Sequence, residues 1–352
     1  MLRIEDQVVR HIDTSSGPVA TVSVGRGPAL VVGGWWCSHL ALDWADPLLR
    51  GFVSTLAEHF TVIRYDQPGR GVSGTSGHFP TELDQEVDVL LAVVDALGID
   101  RFAGFGASSG AAVAVGVAVR EPQRVRRLVL YGSFARGADV APPSARQAMI
   151  DAVAAHWGLG SRLLADIFIP GASSAERDEF AQFQRRSATA DQAARALAAT
   201  YSIDATPLLA TLNTPTTVLH RRGDRAVPFA LGVDVARRIP HADFIELPGD
   251  DHFPWRGGTD VAHATLRALG QFVAPTPPIP GLEAITARER EILALVAEGL
   301  TDQEIAVRLV VSPHTVHRHI ANARAKLGVR TRAAAAVTVR ATAPARGQEG
   351  PS

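Results

Sequence analysis

The chain has 352 residues, 46% of them hydrophobic, and its 35 Lys/Arg against 36 Asp/Glu leave a formal net charge of -1. That composition excludes a disordered chain and gives room for one large domain with a smaller one beside it. The single cysteine, Cys37, excludes an intramolecular disulfide framework and suits a reducing compartment. With no signal-peptide pattern at its start and no apolar run of about eighteen residues, a soluble cytoplasmic protein without membrane contact is expected. The charge is uneven: residues 282–340 hold nine Lys/Arg and six Asp/Glu, a balance of +3, and the remainder balances at -4. A weakly basic C-terminal unit permits contact with nucleic acid, although so small a charge does not argue for it.

In chain order, Val8 to Arg26 alternates in the manner of an edge hairpin, with turns at Ser16-Gly17-Pro18 and Gly25-Arg26-Gly27-Pro28. Ala29 to Val32 is a short apolar strand that runs into Gly33-Gly34-Trp35-Trp36. A helix over about Asp46 to His59 precedes a strand, Thr61 to Tyr65, which ends in the glycine-punctuated loop Asp66 to Ser73. There Asp66 and Ser73 are expected to stabilise a turn rather than to react. Another helix, about Thr81 to Leu97, leads to a strand at Asp100 to Gly104, and a further buried strand is expected at Leu128 to Tyr131. Strands alternating with helices indicate a parallel α/β sheet.

From about 134 to 206 the strand signal disappears. The segment is Ala-rich and helical by periodicity, with breaks expected at Gly158, at Pro170-Gly171 and near Ala188, and it reads as a cap over the C-terminal edge of the sheet. The sheet resumes at Thr216 to His220 and at Asp243 to Leu247, and a helix follows from about Thr259 to Val273. Residues 274–281, with prolines at 275, 277, 278 and 280, suit neither helix nor central strand and are expected to form a stiff linker. The expected organisation is a large domain over 1–273, the linker, a helical unit over 282–341 and a disordered tail over 342–352.

The chemistry centres on Gly106-Ala107-Ser108-Ser109-Gly110, a G-x-S-x-G turn between a strand-like run and the small apolar run Ala111 to Val119. In a strand–turn–helix setting this motif is a nucleophile elbow. Its tight centre requires positive φ and small neighbours, and it holds Ser108 Oγ clear of the sheet at the positive end of a helix. Alone, the motif is easily matched by small-residue helix starts without chemistry, so it has to be judged by whether the chain supplies an acid and a base. Two later loops supply partners: Gly223-Asp224-Arg225 after one strand, and Gly249-Asp250-Asp251-His252 after the next. All three residues then fall on the C-terminal edge of the sheet, where open α/β sheets bind ligands. His252 can take the proton of Ser108 while Asp224 holds the imidazole, and the N–H groups of Ser109 and Trp35 are candidate oxyanion donors. The bland alternatives are a helix-capping Asp224 and a surface His252. Cys37 reads as a buried inert thiol. No metal-ligand cluster stands out and no cofactor is expected.

The order Ser108, Asp224, His252 resembles that of the α/β-hydrolase superfamily. So do Gly34 to Leu40, Leu219-His220-Arg221 before the acid, and Asp251-His252-Phe253-Pro254-Trp255 at the base. The likeness covers roughly residues 1–273 and implies an α/β-hydrolase sheet with a helical cap; Gly33 departs from it, standing where many members carry His.

In the C-terminal unit, Thr286-x-x-Glu289 and Thr301-x-x-Glu304 are two capping boxes. Gly299 ends the first helix, and a short second helix spans about Thr301 to Leu309. Ser312 caps a third helix that opens on Pro313 and stops at Gly328, and Thr331 to about Val339 forms a fourth. Val316, Ile320, Ala323 and Leu327 share one face of the third helix, with His314, Arg318, Ala321 and Ala325 opposite and His317 at the edge. Such a unit is a helix-turn-helix, whose second member enters the DNA major groove, or a small helical docking domain.

The motifs Leu282-x₃-Thr286-x₂-Glu289, Val296 to Thr301, Glu304-Ile305-Ala306, Ser312-x₂-Thr315-Val316 and Lys326-Leu327-Gly328-Val329-x-Thr331-Arg332 resemble the LuxR-type DNA-binding domain over its whole length. The resemblance implies double-stranded DNA as partner, a helical unit that dimerises through its last helix, and His317, Arg318 and Ala321 facing bases. His314 shares that exposed face. Arg308, Arg324 and Lys326, the only lysine in the chain, are the implied phosphate contacts. His317 departs from the pattern, which commonly has Lys there. The whole chain therefore reads as a DNA-binding regulator whose larger domain senses or hydrolyses a small apolar ester-like ligand; the other reading is a working serine hydrolase whose DNA-binding domain is secondary.

Overall fold

The computed structural model describes residues 2–33, 35–73, 79–258, 260–270, 284–297, 300–327, 329, 331–332 and 335. The expected linker over 274–281, the tail over 342–352 and the helix-ending Gly299 and Gly328 lie outside the described residues, and of the fourth helix only Thr331, Arg332 and Ala335 are described. The chain divides into two compact units, Met1–Val273 and Ala274–Ser352.

In the first unit β1 (Arg10–Thr14) and β2 (Gly17–Gly25) make the hairpin, and β3 (Ala29–Val32) follows. The short helix α1 (Leu40–Asp43) and α2 (Pro47–Ala57) then lead to β4 (Thr61–Tyr65). Asp46 caps α2 by accepting from Leu48 N at 2.8 Å, with Pro47 at the first helical position, where no N–H is needed. Next come α3 (Leu83–Ala96), β5 (Phe102–Ala107), α4 (Ser109–Arg120) and β6 (Val125–Tyr131). The helical insertion holds α5 (Pro143–Ala155), α6 (Trp157–Phe168), α7 (Ser174–Ser187) and α8 (Ala190–Ser202), followed by the single turn α9 (Thr206–Leu209). The expected break at Gly158 is displaced: the chain turns at His156, whose Nδ1 accepts from Leu159 N at 3.0 Å, and Gly158 lies inside α6. A glycine in the first turn of a helix disturbs little, because N–H groups there are outside the i to i-4 ladder. The unit closes with β7 (Thr216–Arg221), α10 (Phe229–Arg238), β8 (Asp243–Leu247) and α11 (Asp260–Leu269).

The strands form one eight-stranded sheet in the order β1-β2-β4-β3-β5-β6-β7-β8, with β1/β2 and β2/β4 antiparallel and the remaining pairs parallel. Strands β5 and β7 are buried at all six positions, as strands covered on both faces are. One face packs on α2 and α11 through Leu49, Phe52, Val261 and Leu269; the other packs on α3, α4 and α10 through Val93, Val113, Val117 and Val235. From β3 the chain goes one way to β4 and then returns across the sheet to β5. The loops leaving β3 and β5 therefore diverge at a topological switch point, the place where such sheets open a crevice.

The second unit contains α12 (Ala287–Ala297), α13 (Asp302–Leu309) and α14 (Pro313–Leu327). Both capping boxes form: Thr286 Oγ1 accepts from Glu289 N at 3.2 Å, and Thr301 Oγ1 from Glu304 N at 3.3 Å. Ile292, Leu295, Ile305, Val316 and Ile320 make one small core, and Leu293, Ala323 and Leu327 belong to a second.

Candidate active site and candidate DNA-binding face

Ser108 stands between β5 and α4 with φ 53° and ψ -126°. An L-residue holds such a conformation only at a cost of about 1–3 kcal/mol, which the surroundings must impose. They do so from both sides. Ser108 N donates to Tyr131 O at 2.9 Å, and a Cβ at Gly106 would come within 2.7 Å of Ala111 Cα and of Gly110 O. Ser109, the first residue of α4, has its N–H outside the helical ladder. The neighbouring loop is fixed where Gly33 N donates to Phe105 O at 2.9 Å, two residues ahead of Trp35.

Asp224 and His252 come together. His252 Nδ1 donates to Asp224 Oδ2 at 2.8 Å, while Asp224 Oδ1 accepts from Ala226 N at 2.9 Å and Val227 N at 3.0 Å. Burial by itself would raise the Asp224 carboxyl, but the charge and hydrogen bond of His252, with help from Val227 N–H and His220, outweigh it and hold the carboxyl below its ordinary value. Both residues are buried. Gly132, with φ 54°, follows Tyr131, and a Cβ there would lie 3.1 Å from His252 Cε1. Since Tyr131 O holds Ser108 N, the elbow and the imidazole face the same short segment at the end of β6.

Four residues to which the sequence reading gave no role position the imidazole. His252 N donates to Phe168 O at 2.8 Å, and the Phe168 ring stacks on the imidazole at 5.4 Å between centroids, which ties the end of α6 to the base. Buried Arg221 donates from Nε to Tyr131 Oη at 2.9 Å, and that hydroxyl donates to Asp251 O at 3.2 Å. The Arg221 guanidinium also reaches Pro248 O and Arg256 O, each at 2.7 Å, and Asp260 at 3.0 and 3.1 Å. One guanidinium thus holds both ends of the loop that carries His252. His220 donates to Val227 O at 2.9 Å and lies 3.6 Å from Asp224 Oδ2. The Leu-His-Arg triplet was a visible signal for His220 and Arg221, but their partners lie up to 90 residues away in sequence, which no local pattern reveals.

Asp66 and Ser73 are structural. Asp66 Oδ2 accepts from Leu40 N at 3.0 Å and Val72 N at 2.8 Å, and Ser73 Oγ donates to Asp66 O at 2.6 Å. Trp35 and Trp36 are both buried; Trp35 packs on Trp255 at 4.7 Å between centroids, and Trp36 on Phe168 at 6.1 Å. The buried Cys37 thiol lies 3.8 Å from Gln184 O of α7, and burial pushes it up to about 12. Among the described residues no group of three or more His, Cys, Asp and Glu could hold a metal ion, and no helix is long and apolar enough to cross a membrane.

In the second unit Val316, Ile320, Ala323 and Leu327 of α14 are buried, while His314, His317, Arg318, Ala321 and Ala325 are exposed. Ser312 Oγ accepts from Thr315 N at 3.0 Å at the start of that helix. Arg308 is exposed and Arg324 half-buried. Lys326 has a structural partner: its Nζ lies 2.7 and 2.9 Å from the two carboxylate oxygens of buried Glu289 and joins the end of α14 to the start of α12. Binding a phosphate would require it to abandon that carboxylate. Arg332 similarly donates to Asp302 at 2.7 Å and to Leu300 O at 2.9 Å.

Residues 29–268 match the family model described as "Alpha/beta hydrolase family", and residues 283–339 match that of "Bacterial regulatory proteins, luxR family". Haloalkane dehalogenase 2 of Mycobacterium tuberculosis is 26% identical over 276 residues, 74% of this chain and 94% of that protein. The pimeloyl-(acyl-carrier protein) methyl ester esterase of Xanthomonas campestris pv. campestris is 29% identical over 265 residues, 72% of this chain and 98% of that protein. Among solved structures, a hydrolase from Pseudomonas aeruginosa superposes with a TM-score of 0.64 at 23% identity, covering 74% of this chain and 98% of its own, a likeness of fold. With its sheet order, its elbow and these matches, the chain belongs to the α/β hydrolase family and carries a LuxR-family regulatory domain in its C-terminal unit.

Proposed function

We propose that the α/β-hydrolase unit of this DNA-binding regulator takes a small apolar ester-like ligand beneath its helical cap. Ser108 acts as nucleophile, His252 as base and Asp224 as the group that orients the base. The observation that carries the reading is the buried 2.8 Å bond from His252 Nδ1 to Asp224, on the same sheet edge as the strained Ser108. With Nδ1 donating to the carboxylate, Nε2 is the nitrogen left to accept the Ser108 proton. Attack on a carbonyl carbon opens its double bond to an oxyanion, for which the N–H groups of Ser109 and Trp35 serve as donors. His252 returns the proton to the leaving alcohol, and water, activated by the same imidazole, releases the acid. The esterase among the relatives supports an ester as substrate class.

On the DNA side, His314, His317, Arg318 and Ala321 of α14 face the major groove, with Arg324 and Arg308 on the flanking phosphates. The protein acts as a cytoplasmic homodimer on two half-sites about one helical turn apart. The deciding experiment is labelling of the full-length protein with a fluorophosphonate probe. Ser108 is expected to be modified, and labelling no greater than in Ser108→Ala ends the enzymatic reading. The fusion to a DNA-reading unit favours a second reading, in which the ligand is sensed rather than consumed. Its test is titration of a selected operator with and without a saturating pocket ligand, where a change of roughly 5- to 150-fold in affinity is expected. Identical affinities would end it.

A further inference from the structure

The loop that carries His252 is held from two directions. The body takes its acceptors: Gly249 O accepts from Gly223 N at 3.0 Å, Asp251 O from Tyr131 Oη at 3.2 Å, and Pro248 O and Arg256 O from Arg221. The N–H of His252 itself goes to the cap, where Phe168 O accepts it at 2.8 Å. The Phe168 ring covers one face of the imidazole, with 18° between the planes, and is braced in turn by Trp36, Phe180 and Phe253. Two more contacts continue this seam along the turn between α6 and α7. Gly171 leaves so little room that a Cβ there would lie 3.1 Å from Asp250 Oδ1, and Glu176 at the start of α7 accepts from Arg256 at 2.8 Å. At its other end the cap joins the body through a paired neck, Gly137 N donating to Ile203 O at 2.9 Å and Ala205 N to Ala135 O at 2.8 Å.

We propose, on the reading of Ser108 as nucleophile, that the cap is part of the machinery of the base: His252 is aligned for proton transfer only while the α6–α7 turn is seated on its loop, with Phe168 as the positioning residue. Such a cap does more than admit or exclude a ligand. The bond to Asp224 fixes one ring nitrogen, but a single hydrogen bond leaves the ring free to swing about the Nδ1–Oδ2 line and carry Nε2 away from Ser108. The stacked ring removes that freedom. A cap lifted about its neck takes both the Phe168 carbonyl and the ring with it, and leaves a buried His252 N–H without its acceptor, which is costly. Proton transfer is demanding of geometry, and a displacement of about 1 Å can cost about a hundredfold in rate.

The test compares full-length Phe168→Ala and Phe168→Leu with wild type. Leucine fills most of the space without offering a flat face, and it covers the case in which the alanine variant fails to fold. Labelling of Ser108 by diisopropyl fluorophosphate forms an O–P bond, expels fluoride and passes the serine proton to His252. Its rate should fall by about 10- to 100-fold in either variant. Turnover of p-nitrophenyl acetate should fall likewise, with KM within about twofold of wild type. A cap that only screens the site predicts the opposite sign, equal or faster labelling once its packing is loosened. The imidazole Nδ1–H gives a readout that needs no reaction. Its downfield proton resonance, identified by its absence in His252→Gln, should broaden or vanish in both variants at a temperature where wild type keeps it. Labelling at the wild-type rate or faster, or an unaltered resonance, overturns the proposal. If wild type itself is not labelled, the Ser108 reading fails, whereas the resonance still decides whether the cap aligns the imidazole.

Discussion

The two polar constellations of this chain are organised in opposite ways. Asp224 exposes none of its side chain and His252 only 6%; the Asp224 oxygens are bonded to His252 Nδ1 and to fixed backbone donors. On α14, His317 exposes 73% of its side chain and has only a loose contact, 3.6 Å, with Asp302. A buried site stores its specificity in internal geometry, and it must satisfy every polar group because desolvation penalises any left alone. An exposed reading face carries side chains that await an external partner, and its precision comes from the helix that presents them. The difference predicts where substitutions hurt: in the first region they damage geometry and stability together, in the second they damage recognition alone.

The sharpest break should come at the buried site. Ser108→Ala is expected to abolish hydrolysis of short p-nitrophenyl esters, and His252→Ala to lower it by about 10³-fold or more, with unchanged circular dichroism. Asp224→Asn should cost about 10³- to 10⁴-fold, and it adds a stability signature. The Asp224 carboxyl is held low in the folded state, so its contribution is present above the unfolded carboxylate range and lost as pH falls through the lower folded value. The stability gap between wild type and Asp224→Asn in denaturant titrations should therefore narrow as pH is taken below about 4. A gap that widens in acid would show that the carboxyl is not depressed.

Next in size is Arg221→Met. Removing one partner of a buried, multiply bonded guanidinium costs about 3–5 kcal/mol, and partly exposed Asp260 places this case near the lower end. The denaturation midpoint should fall, and ester turnover should fall with it because the His252 loop loses both anchors. Intact stability with unchanged turnover would mean that the loop is held by other contacts.

The smaller effects sharpen the exposed region. Arg318→Ala should cost roughly 1–3 kcal/mol at the specific DNA site and little on random sequence, as measured by competition binding. Equal losses on both DNAs would remove it from base reading. Lys326→Ala should leave the salt slope of DNA binding unchanged and instead lower the stability of the C-terminal unit, by about 1 kcal/mol for so partly exposed a pair. A slope reduced by about one unit would restore Lys326 as a phosphate contact.

Much of this was legible in the sequence because it rests on short-range chemistry. The elbow glycines, the loop positions of Asp224 and His252 after successive strands, and the two Thr-x-x-Glu boxes each announce themselves within a few residues. The turn at His156 was not legible, since histidine is an unusual helix cap and Gly158 drew attention two residues late. Nor was the partner of Lys326: Glu289 looked fully explained by its capping box, yet its carboxylate serves both Thr286 and a lysine 37 residues away. The clamp of Arg221 on Pro248, Arg256 and Asp260 was hidden for the same reason, since backbone carbonyls have no signature in a sequence.

Cys37 has a consequence of a different kind. Its thiol lies against Gln184 O of the cap, shut away from solvent, and it is the only thiol in the chain. A small disulfide reagent can react there only when the packing around the thiol opens, and α7 is one wall of that packing. The protein therefore carries a clock for that packing: the rate of thiol exchange, followed at several reagent concentrations, separates how often it opens from how long it stays open. No probe need be introduced, and no competing sulfhydryl need be removed.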